Sequence, residues 1–246
     1  MKITQPDPVY LEEGDKAVIL LHSFTGTTRD MKELGEYLNT NGYAVSIPIF
    51  EGHGMGPDAL VESSPSEWWD NVVESYEKLK DEGYERIFIA GVSLGGILSL
   101  KAAYSLDDIN GAVVMSVPQG KDIEDLNKRV VSYTENFMEF VGRNDAEIDA
   151  RLKELEREPM ASLPEFESLI EEVHSRLGEI TVPLAVKYGG KDAPLYEESA
   201  DHIYENTGSE AKDMKVYPNT GHLMTKGKDK KLLFKDILHF LDSIEA

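Results

Sequence analysis

Short apolar runs rich in valine and isoleucine return along this chain at intervals filled by stretches of helical period. That alternation restricts the fold more than any other feature. The runs are Ala17 to Leu21, Tyr43 to Ile49, Arg86 to Ala90, Gly111 to Val117, Val182 to Tyr188 and Met214 to Tyr217. Strands separated by helical segments read as βαβ units, whose crossover helices cover both faces of a mostly parallel sheet. Between the second and third runs, Ser64-Pro65-Ser66-Glu67 supplies a cap serine, a proline at the first helical position and a glutamate three residues after the cap. Trp68, Val72, Tyr76 and Leu79 then recur at helical spacing, which makes the tryptophans core anchors rather than ligand platforms. Leu233, Ile237, Phe240, Leu241 and Ile244 share one face of a C-terminal helix expected to pack on the sheet.

One stretch breaks the rhythm. From Gln119 to Gly178 no strand is evident, but several helical patterns are, with Phe137, Met138, Phe140, Val141, Ile148, Leu152, Leu155, Leu169, Ile170 and Val173 as candidate buried positions. The chain of 246 residues divides on this reading into an α/β core, 1–118 and 179–246, and a helical insertion, 119–178. The insertion carries 15 Asp and Glu against 8 Lys and Arg. Its functional reading is a cap over the C-terminal edge of the sheet, where open α/β sheets bind their ligands.

Composition excludes several function classes. The chain has no cysteine, which removes disulfides, thiolate metal sites and a cysteine nucleophile. The 25 Lys and Arg against 46 Asp and Glu give a net charge of -21, a field that repels phosphate backbones and anionic headgroups. Nucleic acid is not an expected partner. Ala17 to Leu21, the longest early apolar run, is too short for a membrane span or a signal segment, so the expected location is cytoplasmic with no stable membrane insertion. The acidity has two readings, ordinary solubility or adaptation to high salt. A monomer or weak homo-oligomer is expected.

Gly91-Val92-Ser93-Leu94-Gly95 follows the run Arg86 to Ala90 and precedes a helical stretch from Gly96 to Ala103. Strand, sharp turn and helix are the context a nucleophile elbow requires, and flanking glycines leave room for the strained serine. A serine hydroxyl needs a base, and the base needs an orienting carboxylate. His222, in Asn219-Thr220-Gly221-His222, follows the run Met214 to Tyr217. Asp192, in Gly189-Gly190-Lys191-Asp192, follows Val182 to Tyr188. Both positions are loops at strand C-termini. His174, His202 and His239 fall on helices as surface or packing residues, and His22 and His53 flank turns as structural residues that hold loops. Glu197, Glu198 and Asp201 rival Asp192 in sequence but lie on the helix that follows it. An acyl-transfer site also needs amide donors for the oxyanion. Leu94 supplies one by position and Phe24, in His22-Ser23-Phe24-Thr25-Gly26, the other.

With these motifs, and with Glu51-Gly52-His53-Gly54 and Trp68-Trp69-Asp70, the chain from about Ala17 to its end resembles the small bacterial carboxylesterases of the α/β-hydrolase superfamily. That group includes monoacylglycerol lipases and some feruloyl esterases. The resemblance implies an α/β-hydrolase fold with Ser93 as nucleophile, His222 as general base and then acid, Asp192 as its orienting carboxylate, and Phe24 with Leu94 as oxyanion amides. It also implies that the insertion is a small cap whose apolar inner face lines the pocket. Ser23 departs from the family pattern, which has glycine after the first histidine. The leading strands of the superfamily sheet are expected to be missing or reduced.

The expected function is that of a serine carboxylesterase acting on small-molecule short- to medium-chain esters, without cofactor or metal. The alternative is a monoacylglycerol lipase or feruloyl-type esterase, which would use the same residues. A noncatalytic module of the same fold is the reading from another class, because fold alone does not establish activity. Lys226, Lys228, Lys230 and Lys231 form a basic cluster, read as a solvated helix start or as a weak steering patch for anionic substrates.

Overall fold

A computed structural model of the chain describes residues 6–120 and 122–244. The elements run β1 (Val9–Leu11), β2 (Lys16–Leu21), α1 (Lys32–Thr40), β3 (Tyr43–Ile47), α2 (Pro57–Glu62), α3 (Pro65–Asp81), β4 (Arg86–Val92), α4 (Leu94–Ser105) and β5 (Ile109–Met115). They continue with α5 (Ile123–Phe140), α6 (Asp145–Arg157), α7 (Leu163–Ser175), β6 (Leu184–Gly189), α8 (Leu195–Asn206), β7 (Lys212–Tyr217) and α9 (Lys230–Ser243). Among the described residues the seven strands form one sheet in the order β1-β3-β2-β4-β5-β6-β7. Only β1 is antiparallel, paired to β3 through Val9 opposite Ile47. Each of the six runs read from sequence overlaps a strand, although those from Tyr43, Gly111 and Val182 extend two residues beyond it. Among the described residues the strand preceding β2 is β1, three half-buried residues with too little apolar pattern to be seen.

The strands alternate strictly between two cores. Ala17, Ile19 and Leu21 of β2, with Ile87 and Ile89 of β4, face the layer formed by α3, α4 and α8. Val18 and Leu20, with Phe88, Ala90 and Val92, face α1 and α9 through Leu34, Leu38, Leu233, Phe234 and Ile237. Side chains one residue apart on a strand point to opposite faces, so a sheet covered on both sides needs continuous apolar runs.

Helix α3 starts as its sequence predicts. Ser64 Oγ accepts from the Glu67 amide at 3.4 Å and donates to the Glu67 carboxylate at 2.8 Å. Trp68, Val72 and Leu79 are buried and Tyr76 is half-buried. The Trp68 indole donates to Glu51 O at 3.2 Å and to Ser63 Oγ at 3.1 Å. Its ring lies 5.4 to 5.6 Å from those of Phe24, His53 and Phe166. Trp68→Ala is expected to cost about 3–5 kcal/mol, since it opens a cavity where three rings converge and removes a satisfied donor. Urea unfolding followed by circular dichroism measures this, and a loss below about 1 kcal/mol would contradict the packing account.

Between β5 and β6 the chain forms α5, α6 and α7. Asp122 caps α5 by accepting from the Asp125 amide at 2.8 Å. Asn144 and Glu147 exchange hydrogen bonds in a reciprocal box that starts α6. Ile148, Leu155, Leu169, Ile170 and Val173 are buried, whereas Phe137, Met138, Val141 and Leu152 are half-buried. Phe140 differs from expectation and is 71% exposed. The buried stripe of α5 runs through Leu126, Val130 and Thr134, and Phe140, in the last turn, falls outside it. No helix among the described residues is long and apolar enough to cross a membrane.

Candidate active site

Ser93 sits between β4 and α4 with φ 55° and ψ -115°, one of four non-glycine residues at positive φ among those described. Such a conformation costs on the order of 1–3 kcal/mol and persists only where its surroundings enforce it. Here the Ser93 amide donates to Met115 O of the neighbouring strand at 2.9 Å, and Ser93 O accepts from the Ile97 amide at 3.0 Å, closing the first turn of α4. The turn is so tight that a Cβ on Gly91 would strike the Gly95 carbonyl, and one on Gly95 would strike the carbonyls of Leu21 and His22. Leu94 begins α4, where the first amides lack carbonyl partners within the helix and are able to donate to an anion.

His222 and Asp192 are brought together by two stitched loops. The Gly190 amide donates to Tyr217 O and the Lys191 amide to Thr220 O, each at 2.9 Å. A Cβ on Gly189 would strike the carbonyls of Thr220 and Gly221, so a side chain there would hold the loops apart. Asp229 clamps the far end of the histidine loop by accepting from the Asn219 amide at 2.8 Å. As a result His222 Nδ1 lies 2.8 Å from Asp192 Oδ2. The other Asp192 oxygen accepts from the Ala193 amide at 2.9 Å, which fixes the carboxylate plane. The Asp192 side chain is buried, so its attraction for the ring N–H is weakly screened. Glu197 is engaged elsewhere, accepting from the Tyr188 hydroxyl at 3.1 Å.

Ser93, Phe24 and His222 line one cavity of about 330 Å³, with Leu126, Phe166 and Ile170 from the helices after β5 forming apolar wall. Leu94, the residue after Ser93, is fully buried beneath it. Phe24 is buried at the cavity edge with its ring 5.1 Å from that of Phe166, so the loop after β2 and helix α7 meet directly over the site. His22 and His53 lie behind this loop, as structural residues. His22 Nδ1 donates to Ser23 O at 2.9 Å and Nε2 accepts from the Phe50 amide at 3.2 Å. Burial holds His22 well below the usual histidine pKa and His53 at about 4, so both are neutral at pH 7. His174 bonds Pro118 O at 2.9 Å, and His239 is exposed.

Tyr196, Phe166, Arg129, Asp125 and Asp30 also line the cavity, and no motif or spacing in the sequence marks them. The Tyr196 ring packs 4.5 Å from the His222 ring, and its hydroxyl is pushed up to about 12, first by burial and then by the Asp192 charge. Nothing in the sequence marks this tyrosine beyond its place four residues after Asp192. Of the lysine cluster, Lys226 and Lys230 pair with Glu33 of α1 at 2.8 and 2.5 Å, and they hold its carboxyl down at about 2. The cluster thereby joins α1 to the segment around the start of α9. Among the described residues no group of three or more His, Asp or Glu is arranged to hold a metal ion.

Such an assembly can carry out acyl transfer. A hydroxyl stands on a strained turn, a histidine oriented by a buried carboxylate lines the same cavity, and a helix N-terminus lies beneath. Residues 12–144 match the family model described as serine aminopeptidase, S33. The whole chain is 40% identical to a carboxylesterase of Bacillus subtilis strain 168, covering all of both sequences. It is 28% identical to a thermostable monoacylglycerol lipase of Bacillus sp. strain H-257, over 95% of this chain and 93% of the lipase. One structure from work on two metagenome-derived lipolytic enzymes superposes with a TM-score of 0.76 at 20% identity, covering 96% of this chain and 97% of that one, which shows a shared fold. The chain belongs to the serine aminopeptidase S33 family, within the α/β-hydrolase superfamily.

Proposed function

We propose that the protein is a serine carboxylesterase that hydrolyses short- to medium-chain carboxylic esters through an acyl-enzyme on Ser93. The observation that carries this reading is the 2.8 Å pairing of His222 with buried Asp192 at the wall of the cavity that Ser93 lines. The full-length likeness to a carboxylesterase supports it. In this reading the Nδ1–H of His222 is held by Asp192, leaving Nε2 to take the Ser93 proton as Oγ attacks the ester carbonyl. The oxyanion is stabilised by the Leu94 and Phe24 amides. Collapse expels the alcohol, which receives the proton from His222, and a water activated by the same imidazole then releases the acid. The core, 1–118 and 179–246, supplies these groups. The insertion, 119–178, acts as a cap whose Leu126, Phe166 and Ile170 take up the apolar part of the substrate, in a cytoplasmic enzyme.

A cavity of about 330 Å³ stands at the small end of ligand sites, roughly 300–1,000 Å³, and this favours short acyl chains. Hydrolysis of p-nitrophenyl esters from acetate through caprylate to palmitate tests the reading. The expected kcat/KM peaks at short to medium chains and falls at palmitate. A maximum at long chains would favour the monoacylglycerol lipase that the second relative suggests. No turnover of any ester by folded protein, with no labelling by a fluorophosphonate, would leave a noncatalytic module.

A further inference from the structure

Ser23 stands where the resembling family has glycine, and the structure gives its hydroxyl a partner. Ser23 Oγ donates to Asp30 Oδ2 at 3.1 Å. Gly26 lies directly against this pair, since a Cβ there would strike both oxygens. The Gly26 amide donates to Ser23 O at 3.0 Å and the Asp30 amide to Thr27 O at 2.9 Å, so the loop folds back on the carboxylate. Burial pushes the Asp30 carboxyl up from its usual range, while the Ser23 hydroxyl and nearby Lys226 pull against that shift. Asp30 also reaches the histidine loop, because its carbonyl accepts from Thr225 Oγ1 at 2.6 Å.

On the opposite side, His22 Nδ1 donates to Ser23 O. Ser23 is thus gripped twice, by its carbonyl and by its hydroxyl, immediately before Phe24. Two residues later Thr25 holds φ 65°, a conformation that local sequence does not favour and surrounding contacts must impose. We propose that Asp30 is a positioning residue for the oxyanion site: through the Ser23 hydroxyl and the turn at Gly26 it fixes the loop that presents the Phe24 amide. The inference rests on the esterase reading, which makes that amide an oxyanion donor. Preorganised donors contribute to catalysis because they need no reorientation as charge develops, so a loosened loop lowers kcat while leaving ground-state binding intact. Asp30 lines the cavity itself, and a carboxylate that instead touched substrate would act on KM.

The test uses the full chain with Asp30→Ala, Asp30→Asn and Ser23→Ala, read by steady-state kinetics on p-nitrophenyl butyrate and by amide hydrogen exchange. For Asp30→Ala, kcat is expected to fall about 10- to 100-fold, below the 10²–10³ of deleting a donor outright, with KM within about twofold. Asp30→Asn keeps an acceptor oxygen and the packing volume, so it is expected to fall less, and it remains informative where the alanine variant folds poorly. Ser23→Ala is expected to fall less than Asp30→Ala. Peptides spanning residues 22–31 are expected to exchange at least about tenfold faster in Asp30→Ala, with those of β4 unchanged. A raised KM at unchanged kcat would make Asp30 a substrate contact and overturn the proposal. Unchanged exchange in 22–31, or equal acceleration in β4, would overturn it as well. Exchange decides the anchoring even where no ester is turned over, a result that would count against the esterase reading alone.

Discussion

Ser93→Ala is expected to abolish ester hydrolysis, lowering kcat by about 10⁶, and to abolish labelling by a fluorophosphonate, while the protein stays folded. The size follows from the residues acting as a unit: without the hydroxyl, the His222–Asp192 pair has no nucleophile to activate. What remains is binding and the amide donors, which together contribute about 10³–10⁴ over water. Alanine keeps a Cβ at a position whose φ of 55° is enforced by Gly91, Gly95 and the Ser93 amide bond to Met115 O, so the turn itself should be unchanged. Thermal unfolding of the variant therefore accompanies the assay. Activity or labelling retained in a variant with native unfolding behaviour would mean that another residue carries the chemistry.

Asp192→Asn is expected to lower kcat by about 10⁴ with little change in KM. The amide is nearly the same size as the carboxylate, so packing in this buried position survives. The electrostatics do not. A carboxylate accepts the Nδ1–H at 2.8 Å and stabilises the imidazolium that forms as Ser93 gives up its proton. An amide carries no charge, and through its NH₂ it can hold the opposite tautomer, with Nε2 protonated and unable to act as base. Comparison of kcat and KM on p-nitrophenyl butyrate for the two proteins, with unfolding curves as control, measures this. A loss below about tenfold would show that some other group orients His222, and Glu197, already bonded to Tyr188, would have to be released to do so.

Much of the framework could be read along the chain because each signal is local. The apolar runs reach both faces of the sheet, as in Ala17 to Leu21, where neighbouring residues enter opposite cores. The elbow glycines answer clashes with backbone only a few residues away or on the adjoining strand. The Ser64 cap and the Trp68, Val72 and Leu79 spacing belong to a single helix. Strand β1 escaped notice for the same reason: three half-buried residues carry too short a pattern, and their place is set by pairing with β3, more than thirty residues on. Phe140, a candidate buried position within the helical patterns, is exposed, because only the contacts of α5 decide which side of the helix faces protein.

The sequence by itself determined the α/β alternation, the strained serine between glycines and the two strand-end loops that carry Asp192 and His222, since each depends on backbone sterics and periodicity within a few residues. Only the tertiary structure decided the rest. It set the 2.8 Å meeting of residues 192 and 222, the Tyr196 ring against that imidazole and the Phe166 edge against Phe24. These contacts depend on how strands and crossovers stack in space, and a side chain far along the chain leaves no periodic or steric mark at the position it will touch.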